Sequence, residues 1–479
     1  MNEIESLNKP AAAKTLFDKV WDAHAITVKD DAWTLLHIDR MLLHDLSGNN
    51  ALTALEQRGL SVRHPELSFS TPDHAVSSAP GRTGETYPGG AKLWAGLKAR
   101  SSTQGIRFYD TGEIGHGIVH VMGPELGIVL PGSTLVCGDS HTCTNGALGA
   151  LAFGIGASEL VHALATQTLW QQKPKTLRVT FDGPLQEGVT AKDLVLYLIG
   201  KLGAKAGTGY AVEYAGSTVR ALDIEARLTL CNLSIELGAK VGMIAPDDST
   251  YAYLEGRERA PRDALFDLAV EHWRTLPSDS GAVFDSEVHI DTSVIKPMIT
   301  WGTSPEHVIA IDGAAPDPAC APDDKHRAAW RDALDYMGLA AGQKLEGTPV
   351  DWVFIGSCTN SRLSDLRSAA AVIRGQHVAE GVHAWVVPGS ETVKRDAEAE
   401  GLDRIFTAAG FEWREPGCSM CVAANGEIVP PGARSISTTN RNFVGRQGPG
   451  ARTHLASPQS AAAAAITGVI TDARKHHHG

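Results

Sequence analysis

The stretch Trp352-Val353-Phe354-Ile355-Gly356-Ser357-Cys358-Thr359-Asn360-Ser361 decides the fold. Its leading apolar residues read as a short buried strand, 356–361 as a polar loop and about 362–374 as a helix. Strand, polar loop, helix is the repeating unit of an α/β sheet, where reactive groups gather at the carboxyl ends of strands. The loop carries one cysteine, and Pro416-Gly417-Cys418-Ser419-Met420-Cys421 supplies a pair at C-x-x-C spacing. All three thiols sit among Gly, Pro, Ser and Asn, the composition of loops rather than of packed faces. A cubane iron–sulfur cluster normally takes four cysteines, one per iron. Three would leave one iron with an open position for substrate, the feature that separates catalytic from structural metal sites. The alternatives are a zinc site, for which no clear fourth ligand is visible, and loop thiols that bind nothing.

Outward from this stretch, the 479 residues allow two to four domains. Hydrophobic content of 43% and charged content of 20% are those of an ordinary globular protein. A formal net charge of −12 disfavours a nucleic-acid surface, which needs clustered Lys and Arg. No apolar run approaches the roughly 18 residues of a membrane helix, and the start Met1-Asn2-Glu3-Ile4-Glu5 is acidic where a signal peptide is basic, so a cytoplasmic protein without a membrane partner is expected. Seven cysteines do not make a disulfide framework; Cys137, Cys143, Cys231 and Cys320 read as small buried or incidental residues. P-loop, H-E-x-x-H and G-x-S-x-G motifs are absent.

In chain order, 11–30 reads as an amphipathic helix and Trp33 to Arg40 as a β-rich run. Thr71-Pro72-Asp73-His74 reads as a loop, and 81–90 as an exposed Gly/Pro-rich segment. Gly117-Ile118-Val119-His120-Val121 reads as a strand with a histidine inside it. Ser133 to Cys137 is a strand leading into Gly138-Asp139-Ser140-His141-Thr142, followed by a helix at about 158–171. A boundary falls near 175, before the strand Thr176 to Phe181. Leu228 to Gly242 reads as a helix containing Glu236, and 274–303 as a passage to a third region. That region adds a strand at Val382 to Val387 and an Ala-rich helix at 460–465, and ends in a histidine tail expected to be disordered. The domains expected are 1–175, 176–300 and 301–479.

Four of these motifs occur in family order: Gly138 to Thr142, Gly356 to Ser361, Pro416 to Cys421, and Asn440-Arg441-Asn442-Phe443-Val444-Gly445-Arg446. Together they resemble the aconitase superfamily from about residue 12 to about residue 470. The resemblance implies three α/β subdomains around a central cleft holding one [4Fe–4S] cluster, with Cys358, Cys418 and Cys421 as ligands and one open iron. It implies a hydro-lyase that moves a hydroxyl between neighbouring carbons of a small dicarboxylate. The nearest branch isomerises 2- and 3-isopropylmalate in leucine biosynthesis; branches acting on homoaconitate, 2-methylmalate (citraconate) or 2,3-dimethylmalate remain alternatives.

Such a reaction needs an acid for the leaving hydroxyl, a base for the carbon-bound proton and forked donors for two carboxylates. By resemblance, Asp73 and His74 form the pair at the leaving hydroxyl, with His74 the proton donor, and His120 is a second active-site histidine. Asp139, Ser140 and His141 contact substrate and orient neighbours, and Glu236 partners His141. Asn440 lies near the cluster, and Arg441 and Arg446 bind carboxylates. Taken alone, these residues read more blandly: His120 as a core histidine, Glu236 as an exposed helix residue, the arginines as a solvated basic face. In single-chain relatives the base is a serine in a further C-terminal domain. The short segment after Arg446 does not provide one, so a small subunit carrying that swivelling domain and the base is expected. Two readings from other classes, an iron–sulfur electron carrier and an RNA-binding regulator, would need a fourth cysteine ligand and a basic groove respectively.

Overall fold

The decisive stretch folds as read: a strand at Trp352–Ile355, then a helix at Leu363–Ile373. Around it lies an α/β protein whose computed structural model describes residues 12–30 and 33–476. The acidic start and the last residues of the histidine tail lie outside the described residues. Three parallel sheets dominate. The first runs Arg107–Phe108, Ser68–Thr71, Arg40–His44, Thr134–Cys137, Leu151–Gly154 in spatial order. The second runs Val241–Ile244, Tyr210–Ala215, Lys175–Asp182, Ser286–Asp291. The third runs Glu412–Trp413, His383–Val386, Trp352–Ile355, Arg434–Ser437, Arg452–Leu455. Two antiparallel pieces complete the fold: the sheet Ala25–Lys29, Trp33–His37, Thr168–Gln172, and the ribbon Met298–Thr300 with Val308–Ala310.

In each parallel sheet the first strand in sequence lies inside, with the second and third on one side and the fourth on the other. Connections therefore leave the first and fourth strands in opposite directions, which opens a crevice at their carboxyl ends. In the first sheet that crevice receives His44-Asp45 and Gly138 to His141. In the third it receives the Cys358 loop and Thr438 to Arg441. One apolar core, from Leu16 to Ile295, is shared by the first two sheets; a second, from Ile299 to Ala473, also takes in Ile118 and Val121.

Several local readings give way to tertiary effects. His120 lies on a helix, Val119–Glu125, not a strand. The helix start is capped from a distance, because the Asp73 carboxylate accepts the Val119 N–H at 3.0 Å. Glu236 lies on a single 3₁₀ turn, Ile235–Leu237, after the helix Ile224–Asn232; Gly238 at φ +97° ends the turn before the strand Val241–Ile244. The helix read at 11–30 occupies Leu16–His24, and that read at 158–171 stops at Thr166, where Gln167 takes φ 59°. The passage 274–303 contributes Ser286–Asp291 to the second sheet. Cys137, Cys143 and Cys231 are buried, and Cys320 is exposed.

Candidate active site and thiol cradle

The Asp139 carboxylate is the hub. Oδ1 accepts the His141 backbone N–H at 2.7 Å and His120 Nε2 at 3.1 Å, while Oδ2 lies 3.4 Å from His74 Nε2. Burial works against the anion, but the bonds from His120, His141 and His74 outweigh it and hold this carboxyl well below its ordinary range. The Asn145 amide donates to His120 Nδ1 at 3.3 Å, which puts the ring proton on Nε2, facing Asp139. Burial pushes the His120 imidazolium down, so this ring is neutral.

His74 is placed differently. Its Nδ1 bonds Asp73, a fully buried carboxylate, and its backbone N–H bonds Asp45 at 3.1 Å. The His44 ring stacks on it with centroids 4.3 Å apart. Burial lowers the affinity of this ring for its proton, but the Asp73 and Asp139 carboxylates reverse that and hold it well above the usual histidine value. One histidine is thus kept charged and one neutral on the same carboxylate, a pairing suited to proton transfer. His44, Asp45, Asp73 and His74 bring their potential ligand atoms within 4.8 Å of one another. Their ligand atoms are already engaged: both Asp45 oxygens take backbone N–H groups, both Asp73 oxygens are occupied, and His44 Nε2 faces the Gly138 carbonyl and the Ser47 hydroxyl.

His141 Nε2 meets Glu236 Oε1 at 3.0 Å, and Arg441 Nε donates to the same oxygen at 2.6 Å. Burial opposes the Glu236 anion, but these two partners outweigh it and keep its carboxyl below the ordinary value. Close backbone approach makes the contact possible. A Cβ on Gly146 would stand 1.8 Å from the Gly242 carbonyl oxygen, so only glycine lets the segment after His141 lie against the strand Val241–Ile244. Ser140 is half-buried at the mouth beside Asp139.

Cys358, Cys418 and Cys421 are all buried and unpaired. Asn232 and Asn440 point amide nitrogens at Cys358 Sγ from 3.2 and 3.4 Å, and the Ser357 hydroxyl lies 3.1 Å from Cys421 Sγ. Arg446 Nη2 lies 3.8 Å from Cys421 Sγ, and its buried Nε has no partner. The Cys418 N–H bonds the Asp73 carbonyl at 2.8 Å, which ties the thiol loop to the His74 loop. Ser357 (φ 84°) and Ser419 (φ 47°) hold left-handed backbone beside the cysteines, a strain of about 1–3 kcal/mol each. As free thiols Cys358 and Cys418 are neutral: burial pushes Cys358 up to about 12 and Cys418 well above its usual value. N–H donors aimed at sulfur gain most when the sulfur is a metal-bound thiolate, so the donor set fits an iron–sulfur cluster. A single zinc fits less well. Zn–S bonds of about 2.3 Å bring sulfurs within roughly 4 Å of each other, and among the described residues the three thiols do not gather into a group with ligand atoms within 4.8 Å of one another.

The thirteen residues expected from the sequence are joined by one run of contacts, with Ser140 Oγ 3.4 Å from His141 Nδ1 and the Cys418 N–H linking the thiols to Asp73. Sequence reasoning missed Asp45, which holds the His74 backbone, Asn145, which sets the His120 tautomer, and Asn232 on the cysteine. No local pattern marks them; only Asp45, directly after a strand, carried a positional hint.

The sequence model of the aconitase family (aconitate hydratase) matches residues 18–468. A protein of Bradyrhizobium diazoefficiens named 3-isopropylmalate dehydratase large subunit 1 is 64% identical over 461 residues, 96% of each chain. Holo aconitase X of Thermococcus kodakaraensis superposes with a TM-score of 0.45 at 12% identity, covering 85% of this chain and 84% of that one. On the family match and the full-length relative, the chain belongs to the aconitase family.

Proposed function

We propose that this chain is the large subunit of a [4Fe–4S] hydro-lyase that interconverts 2- and 3-isopropylmalate by dehydration and rehydration in leucine biosynthesis. The observation that carries the substrate is the 64% identity along 96% of both chains to a relative named for that reaction. The geometry supports the chemistry. In this reading Cys358, Cys418 and Cys421 hold the cluster and leave one iron without a protein ligand. When bound, the cluster supplies a Lewis acid for the departing hydroxyl.

The protein residues do the rest. His74, kept charged by Asp73, gives its Nε2 proton to the leaving hydroxyl. Asp139 fixes His74, neutral His120 and the backbone of His141 in one array. The His141–Glu236 pair holds the released water, and Ser140 and Asn440 orient the substrate. Arg441 keeps its Nη groups for a carboxylate while Nε is spent on Glu236, and Arg446 takes the second carboxylate. The base for the carbon-bound proton comes, in this reading, from a small subunit on a swivelling domain, in keeping with the relative's name. In this reading the chain divides into subdomains 1–175, 176–300 and 301–479 around the cleft, a division the three parallel sheets support, and the enzyme works in the cytoplasm.

The test is anaerobic reconstitution of the chain with and without a co-expressed small subunit, followed by assay of 3-isopropylmalate, homoaconitate and methylmalate. Turnover of isopropylmalate by the pair alone supports the proposal. Turnover by the isolated chain, or preference for another acid, overturns it.

A further inference from the structure

Lys192 is the one lysine fully buried among the described residues. It stands in the first turn of the helix Ala191–Leu202, whose start is fixed by a Thr190–Asp193 capping box. Its Nζ donates to the carbonyls of Thr438 and Thr439, the latter at 2.6 Å. Among the described residues no carboxylate comes within 4.0 Å of it, whereas buried Arg227 and Arg414 each keep one, Asp247 at 2.8 Å and Glu427 at 3.0 Å. The carboxylates nearest in charge, Asp365 and Asp193, spend their oxygens elsewhere: Asp365 on Asn360 and the Arg362 N–H, Asp193 on Thr190 and the Met298 N–H. A buried cation without a paired anion costs several kcal/mol.

The residues it holds lead straight to the thiols. The Thr438 hydroxyl bonds both the Gly356 N–H and the Gly356 carbonyl at 2.9 Å, just ahead of Cys358. Next in chain after Thr439 comes Asn440, which touches Cys358 and Cys421. A second buried cation holds the same loop. Arg362 donates to the Thr359 and His120 carbonyls at 3.1 and 3.2 Å, and among the described residues it too has no carboxylate in salt-bridge range.

We propose that Lys192 is a positioning residue for the cluster: its buried ammonium is the counter-charge of an anionic cluster–thiolate assembly and pins the Thr438–Asn440 turn against it. The inference rests on reading the three thiols as cluster ligands. A cubane core with three thiolates is anionic and becomes more so on reduction, and net charge and hydrogen bonding set cluster potentials. Burial pushes the ammonium down to about 7 against the pull of Asp365 and the Cys421 sulfur. Beside the anionic assembly, the cation stabilises the cluster, its reduced form most.

The test compares wild type, K192Q (donor kept, charge removed), K192M (both removed) and K192R (charge kept) as full chains, apo and anaerobically reconstituted. The readouts are the cluster's midpoint potential, the rate of iron release in air, and the melting temperature with and without cluster. The expected result is a lower potential and severalfold faster iron release in K192Q and K192M, both restored towards wild type in K192R. Apo K192Q should melt no lower than apo wild type, since it no longer buries a lone charge. Wild-type potential and iron release in K192Q overturn the inference, as does apo K192Q that fails to fold, which would make Lys192 a structural post. A wild-type chain that takes up no cluster overturns the reading of the thiols and this inference with it.

Discussion

Asp139→Asn is the perturbation that reaches furthest into the site. Its oxygens face two bonded donors, His141 N–H and His120 Nε2, and His74 Nε2 at 3.4 Å. Hydrogen bonds to a charged acceptor contribute about 1.5–3 kcal/mol and neutral ones about 0.5–1.5, so neutralising the hub weakens each bond by roughly 1 kcal/mol. If the amide oxygen keeps His120 and His141, the amide N–H₂ faces the His74 N–H, donor against donor. His74 then relies on Asp73 alone, at a further cost of about 1 kcal/mol. The sum, about 3 kcal/mol, corresponds to roughly a hundredfold loss in kcat. The assay is 3-isopropylmalate dehydration by the assembled enzyme, with cluster content matched to wild type by visible absorbance. The buried thiols are untouched, so the variant should load fully. A fully loaded D139N enzyme with kcat within about fivefold of wild type would refute the hub.

Two further outcomes follow from the geometry. Gly146→Ala places a Cβ on the Gly242 carbonyl, which should destabilise the chain by about 1–3 kcal/mol and part His141 from Glu236; an unchanged melting temperature together with full activity contradicts this. Away from the site, burial opposes ionisation of Asp39, but His24 at 2.8 Å and the Thr134 N–H hold its carboxyl down at about 2, against 3.8 for the free group. A depressed carboxyl stabilises fully above the unfolded value, and that share is lost as pH falls from about 4 towards 2. Asp39→Asn should therefore cost about 2 kcal/mol at pH 7 in urea unfolding and much less near pH 2; an equal cost at both pH values contradicts the assignment.

What the sequence disclosed depended on how local the cause was. The strand and helix around Cys358 were legible because an apolar run, a polar loop and a helical face follow one another without outside help. His120 was misread as a strand residue because its helix is capped by Asp73, 46 positions away in sequence. Glu236 was placed on a long helix because the apolar spacing continues past Asn232, while the chain turns at Gly238. The shared strand order of the first and third sheets, whose crevices receive the site loops, is a long-range property that no window of sequence contains. The thiols, the arginines and the D-S-H run were legible as motifs. Asn232, Asn145 and Lys192 were not, because an amide or a lysine at a helical position looks the same whether it meets water or a buried partner.

The central claim is that the three-thiol cradle holds a cluster with one iron open to substrate. Mössbauer spectroscopy of the chain reconstituted with isotopically enriched iron, before and after adding substrate to the assembled enzyme, tests it most directly. A single iron site is expected to change its spectrum on substrate binding while the remaining sites keep theirs. A cluster whose iron sites are all indifferent to substrate, or a preparation that binds zinc and no iron, would contradict it.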